Sequence, residues 1–200
     1  MTVAELTIPN GWEEITPAWM TEAIRGRHPD AVVSDIAVVL RDDGTNRRAR
    51  LELTYSAGSG PATVFAKAAD PAHVELVALT SGLFHEPRLF ASGVVLPLDH
   101  PAVYTAIIDE EGSDFLMIME DVVARGADPR DSTRPMTVDQ AANGVRGLAK
   151  LHSEYWAIGS AIIRHWAGSS PSSRSPAWNS LLSRLPTSAW EIPFPPRSRR

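Results

Sequence analysis

The sequence predicts an α+β fold: an antiparallel sheet of about five strands with a helix against it, then a polar linker and one long helix. Three observations predict it. From Arg48 to Tyr55 the chain alternates cleanly. Ala49, Leu51, Leu53 and Tyr55 fall on one side and Arg48, Arg50, Glu52 and Thr54 on the other, the period of a strand with one buried face. Turn residues separate short apolar runs at hairpin distances, as in Asp42-Asp43-Gly44, Gly58-Ser59-Gly60-Pro61 and Asp109-Glu110-Glu111-Gly112. After a polar, Pro-containing stretch from Gly126 to Pro135, apolar residues return at spacings of three and four, the period of a helix.

The elements follow in order. Thr16-Pro17 is a helix start, a hydroxyl N-cap followed by proline at the first helical position. Trp19, Met20, Ala23 and Ile24 share one face of that helix, and Gly26 closes it. Ile36, Val38 and Leu40 mark a first strand, Arg48 to Tyr55 a second, and Ala62 to Ala66 a third that ends at Lys67. A helical region runs from Pro71 to about Ser92, interrupted at Ser81-Gly82 and Pro87. Val103 to Ile108 and Phe115 to Met119 are the last two strands. Thr137 and Gln140 form a capping box that opens a helix to about residue 157. Val138, Ala141, Val145, Leu148, His152 and Tyr155 predict one buried stripe along it. Gly144 and Gly147 weaken the same helix, each by about 1 kcal/mol relative to alanine.

Composition bounds the function. The apolar fraction is 44% and the charged fraction 22%, both ordinary for a globular chain. A net charge of -5 argues against nucleic acid as a partner. With no cysteine there is no disulfide framework, thiol nucleophile or thiolate zinc site. No basic segment followed by an apolar core opens the chain, and no apolar run reaches the length of a membrane span. A cytoplasmic protein without membrane contact is the expectation. Charge is unevenly spread: residues 157–200 hold six Arg and one acid, a net of +5, and the rest of the chain has a net of -10. That tail also carries six prolines and many serines, which predicts poor order from 168 to 200.

Chemistry concentrates on a few residues. Lys67 follows apolar Val64, Phe65 and Ala66 at a strand end, where its stem packs and its ammonium reaches the cleft between sheet and helix. Glu86 lies 19 residues on, in a helical stretch with Phe84, Leu89 and Phe90. A lysine on the third strand paired with a glutamate on the next helix is the arrangement that holds an ammonium against nucleotide phosphates. Pro87 fits if a helical segment begins there, with Glu86 as its cap. The backbone amides around Gly44, Thr45 and Asn46 suit either phosphate oxygens or an ordinary hairpin turn. Glu120-Asp121-Val122 ends an apolar strand and opens a linker. In a two-lobed site that junction offers N–H and C=O groups to adenine; otherwise it is a plain strand end. The histidines form no metal-binding cluster, and His152 reads as a core residue.

This ordered set resembles the aminoglycoside/choline-kinase-like phosphotransferases, and the ecdysteroid-kinase-like branch in particular. Gly44-Thr45-Asn46 to Tyr55 and Val64-Phe65-Ala66-Lys67 are similar to that family's phosphate-loop and lysine strands. Glu86-Pro87-Arg88-Leu89-Phe90 resembles its E-x-x-F-Y helix, and Phe115 to Val122 its "LLLEDL" hinge. Leu148-Ala149-Lys150-Leu151-His152-Ser153-Glu154-Tyr155-Trp156 is similar to its "LAxLHAxYW" helix. The resemblance covers roughly residues 12 to 166. It implies a protein-kinase-like N-lobe, ATP with Mg²⁺, and phosphoryl transfer to a small-molecule hydroxyl. Lys67 becomes the phosphate-binding lysine and Glu86 its partner. Gly44, Thr45, Asn46, Glu120, Asp121 and Val122 complete the nucleotide contacts.

On that resemblance, residues 1–122 form the nucleotide lobe, 123–136 the hinge, 137–167 the start of a helical lobe and 168–200 the tail. The family's H-G-D-x-x-x-x-N loop and later metal-binding Asp are absent, and no Asp stands between Gln140 and Arg200. The expectation is therefore a truncated phosphotransferase that carries the nucleotide lobe without catalytic or metal-binding residues, and is inactive as it stands. A non-catalytic nucleotide- or protein-binding module is the alternative. An unrelated α+β interaction domain ranks third.

Overall fold

A computed structural model of the chain describes residues 6–129 and 133–155. Nine elements follow in order: α1 (Pro17–Ile24), β1 (Val32–Arg41), β2 (Asn46–Ala57), β3 (Thr63–Ala69), α2 (Val74–Thr80), α3 (His85–Ala91), β4 (Val103–Asp109), β5 (Asp114–Glu120) and α4 (Val138–Tyr155). The class is α+β, as expected. The five strands form one wholly antiparallel sheet in the order β1-β2-β3-β5-β4. The chain divides into two units, and the first, Met1–Leu151, holds every described element except the last turn of α4.

Alternation along the strands gives the sheet two buried faces. On one face Ala49, Leu51 and Leu53 of β2, Val64, Ala66 and Ala68 of β3, and Leu116 and Ile118 of β5 pack with Met20, Ala23 and Ile24 of α1. Three of those sheet residues are alanines, so the helix approaches the backbone closely. On the other face Phe115, Met117 and Met119 of β5 and Ala69 of β3 pack with Val77 and Leu83, flanked by Phe84 and Phe90. β5 lies inside the sheet and is apolar on both sides, which is why Phe115 to Met119 reads as one unbroken apolar run.

The helix starts follow their sequence signals. Thr16 Oγ1 accepts the Trp19 N–H at 3.2 Å with Pro17 at the first helical position. Thr137 and Gln140 make both bonds of the capping box, at 2.9 and 3.2 Å. Gly58, read as part of a plain turn, has φ of 63°, and a Cβ there would lie 2.1 Å from the Asp30 carbonyl oxygen. Only glycine fits that position.

Three expectations are corrected. The stripe along α4 is not buried: no residue of α4 is, and Val138 and Val145 are 85% and 65% exposed. Helical period marks the side that a helix offers to a partner, and no described element covers that side. The region 71–92 forms two short helices parted at Ser81–Phe84, with no break at Pro87. Glu86 is not a cap. α3 begins at His85 with Phe84 as its N-cap, so Pro87 sits in the first turn, where its missing N–H has no intrahelical acceptor to lose. The predicted tail lies outside the described residues.

Candidate functional site

Lys67 owes its position to the pleat. Its neighbours Ala66 and Ala68 point at α1, so Lys67 points at α3. There its Nζ pairs with the Glu86 carboxylate, and its side chain is 20% exposed. α3 is held in place by Phe84 and Phe90 against the sheet and by a fully buried Pro87.

The pair borders a cavity of about 170 Å³ whose walls include Asn46, Lys67, Ser81, Gly82, His85 and Glu86, floored by Phe115. Asn46 Oδ1 is buried and has no hydrogen-bond partner among the described residues. The cavity therefore offers one ammonium, one carboxylate and one imidazole.

Register adds a residue that the sequence reading missed. Arg48 on β2 stands directly opposite Lys67 on β3, so two cations share a row on the same face. Like charges so placed repel. Each has its own carboxylate: Glu86 for Lys67, and Asp42 for Arg48 at 3.1 Å. Arg48 also folds over the hairpin turn, its Nε donating to the Asp42 carbonyl at 2.6 Å. The signal available in sequence was the Arg47-Arg48 doublet next to the Gly44 turn.

Gly44 and Thr45 lie at the exposed tip of the β1–β2 hairpin, outside the cavity. The Gly44 N–H donates to the Asn46 carbonyl at 3.0 Å. Gly44 is not among the glycines with positive φ, and a Cβ there would meet only the far end of the Arg48 side chain, at 3.1 Å. Backbone conformation does not demand glycine at 44, unlike 58.

Glu120, Asp121 and Val122 also stand away from the cavity, at the far end of β5. Lys67 pairs with Met117, so Glu120 lies three residues along, about 10 Å at the rise of a strand. Much of their hydrogen-bonding capacity is used. The Glu120 N–H donates to Ala102 at 2.7 Å, and its carboxylate accepts the Ala102 N–H and pairs with Arg125. The carbonyls of Asp121 and Val122 accept from Ala124 and Ala127. The Asp121 side chain is structural: 4% exposed, it accepts from Thr63 Oγ1 at 2.9 Å and caps a 3-10 turn at the Val123 N–H. Arg50 Nε lies 2.8 Å from Asp121 Oδ2, an ion pair whose N–H is not aimed along that line.

At the other end of the row, just past β3, Asp70 accepts the Ala72 N–H at 3.0 Å and faces His73 Nδ1 at 2.8 Å. The backbone bond first, and then the imidazole, hold its carboxyl below the usual carboxylate range. Asp70 follows Ala69, the ladder partner of Asn46, and does not line the cavity.

Among the described residues no group of three His, Asp or Glu is placed to hold a metal ion, so no step is assigned to Mg²⁺. No described helix is long and apolar enough to cross a membrane. Comparison with known proteins finds no matching family, no matching curated protein and no matching solved structure.

Proposed function

We propose that this chain carries the nucleotide-binding part of a phosphotransferase of the small-molecule-kinase type, with ATP phosphates received beside Lys67. The observation that carries the reading is the Lys67–Glu86 pair at the wall of a polar cavity, two residues 19 apart on the third strand and on a following helix. The pair holds the ammonium at a defined point on the cavity wall. Arg48, opposed to Lys67, raises the local positive potential, and an incoming phosphate relieves the repulsion between the two cations.

Size sets the orientation. The cavity takes a phosphoryl group and not a whole nucleotide. The base then lies along the sheet toward Glu120–Val122, about 10 Å from the Lys67 row.

The reaction class that follows is transfer of the terminal phosphoryl group of ATP to a small-molecule hydroxyl. This chain supplies the grip on phosphate and lacks the carboxylate that accepts the hydroxyl proton, since no Asp follows Asp139. The second reading is a nucleotide-binding module without catalysis. Calorimetric titration with ATP tests both. The wild-type chain binds ATP, Lys67→Met weakens it by about tenfold or more through loss of a charge-assisted contact, and Glu86→Gln by less. No binding by wild type overturns the proposal. Phosphorylation of a hydroxyl acceptor, abolished by Lys67→Met, excludes the non-catalytic reading.

A further inference from the structure

The cavity contains a group that the kinase-type arrangement does not use. His85 is the first residue of α3 and stands beside Glu86 in the cavity wall. Two devices fix its ring. Nδ1 lies 2.9 Å from the Ser81 carbonyl oxygen. A carbonyl only accepts, so the ring proton sits on Nδ1 and Nε2 carries the lone pair. Nε2 has no hydrogen-bond partner among the described residues. The second device is Gly82. Its φ is 76°, and a Cβ there would fall 2.4 Å from His85 Nδ1 and Cε1 and 2.8 Å from Nε2. The ring occupies the space that any other side chain at 82 would need.

We infer that His85 is a second phosphate-binding group of this cavity, taking a proton on Nε2 as the phosphate enters. The inference rests on the nucleotide reading above and assigns a role to a residue outside it. With Nδ1–H committed to Ser81, the neutral ring offers a phosphate oxygen no donor. A proton taken from solvent turns Nε2 into an N–H donor for the anion, and the Ser81 carbonyl supports the resulting imidazolium through Nδ1. The charged groups facing the ring across the cavity are Lys67 from β3 and Glu86 from α3 itself. The stretch after α2 contributes Ser81, Gly82 and Leu83, and β5 contributes Phe115, none of them titratable in this range. The phosphate brings negative charge to the ring, so anion and proton bind together.

Calorimetric titration of the full chain with ATP, in buffers of different protonation enthalpy, reads the proton count directly. Wild type is expected to take up protons on binding in excess of the His85→Gln chain, and to bind about tenfold tighter than it, the weight of one charge-assisted hydrogen bond. His85→Gln keeps a neutral polar side chain and cannot take the proton. Nitrogen-15 NMR of wild-type His85 should show Nδ1–H alone in the free protein and both nitrogens protonated with ATP bound. Equal proton uptake by wild type and His85→Gln, or an Nε2–H tautomer in the free protein, overturns the assignment of His85 and leaves the nucleotide reading standing. No ATP binding by wild type overturns both.

Discussion

Replacing Asp121 separates a structural role for the β5 end from a nucleotide-contacting one. Its carboxylate is 4% exposed and serves three groups: Arg50 at 2.8 Å, Thr63 Oγ1 at 2.9 Å and the Val123 N–H at 3.2 Å. Asp121→Ala leaves Arg50 without its counter-charge. A fully buried pair broken in this way costs about 3–5 kcal/mol. Arg50 is 27% exposed, so water reaches it and about 2 kcal/mol is the better figure. The lost cap and the stranded Thr63 hydroxyl add about 1 kcal/mol. The expected total of about 3 kcal/mol is a large share of a domain's stability. Asp121→Asn keeps an acceptor for Thr63 and Val123 and should lose only about 1–2 kcal/mol. Urea unfolding followed by tryptophan fluorescence measures this, because Trp12 lies in the core. With a slope near 2 kcal/mol/M, the midpoint of Asp121→Ala should fall by about 1.5 M. ATP affinity of the folded Asp121→Asn chain should match wild type within about twofold, because its backbone groups are untouched. A midpoint for Asp121→Ala close to wild type refutes the reasoning, as does a tenfold loss of ATP affinity in a stable Asp121→Asn.

Two other substitutions have expected outcomes. Gly82→Ala meets both a positive φ and the His85 ring, and should lose about 1–3 kcal/mol, a fall in Tm of about 3–10 °C. A gain in Tm would show that the turn does not hold the ring. Burial, and to a lesser degree Tyr104, push the Tyr55 phenol up to about 12, and its hydroxyl donates to the Pro61 carbonyl at 2.7 Å. The native state then holds its proton beyond the ordinary tyrosine range. The associated stability is complete below about pH 10 and is lost as pH rises toward about 12. Tyr55→Phe should be less stable than wild type by about 1 kcal/mol at neutral pH, with a gap that narrows through that alkaline window. A gap in chemical unfolding that stays constant from neutral pH to about pH 12 contradicts it.

Much of the sheet was readable because its signals are local. Strand alternation, the turns and the Thr137–Gln140 box each lie within a few residues and carry their own geometry. Lys67 and Glu86 were readable because a strand end and a helix 19 residues apart have few ways to meet. What escaped the sequence is non-local. Arg50 was placed on a solvent side, yet its partner Asp121 lies 71 residues away and is brought beside it by β3–β5 pairing. Arg48 gained its meaning from register with Lys67, which alternation alone does not specify. His85 was passed over because histidines were weighed as metal clusters, and its role depends on a left-handed Gly82 three residues earlier. The α4 stripe was read as buried because periodicity reports amphipathicity and not the presence of a partner.

The chain has two lysines, Lys67 in the cavity and Lys150 on α4. An acyl-phosphate derivative of ATP transfers its acyl group to whichever lysine amine lies against the phosphates, so labelling followed by peptide mapping reads the phosphate position directly. If ATP phosphates bind beside Lys67, Lys67 is acylated well ahead of Lys150, excess ATP suppresses that labelling, and Glu86→Gln alters its rate without moving the site. Equal labelling of the two lysines, or labelling of Lys67 that excess ATP does not suppress, would contradict a nucleotide site at the Lys67–Glu86 pair.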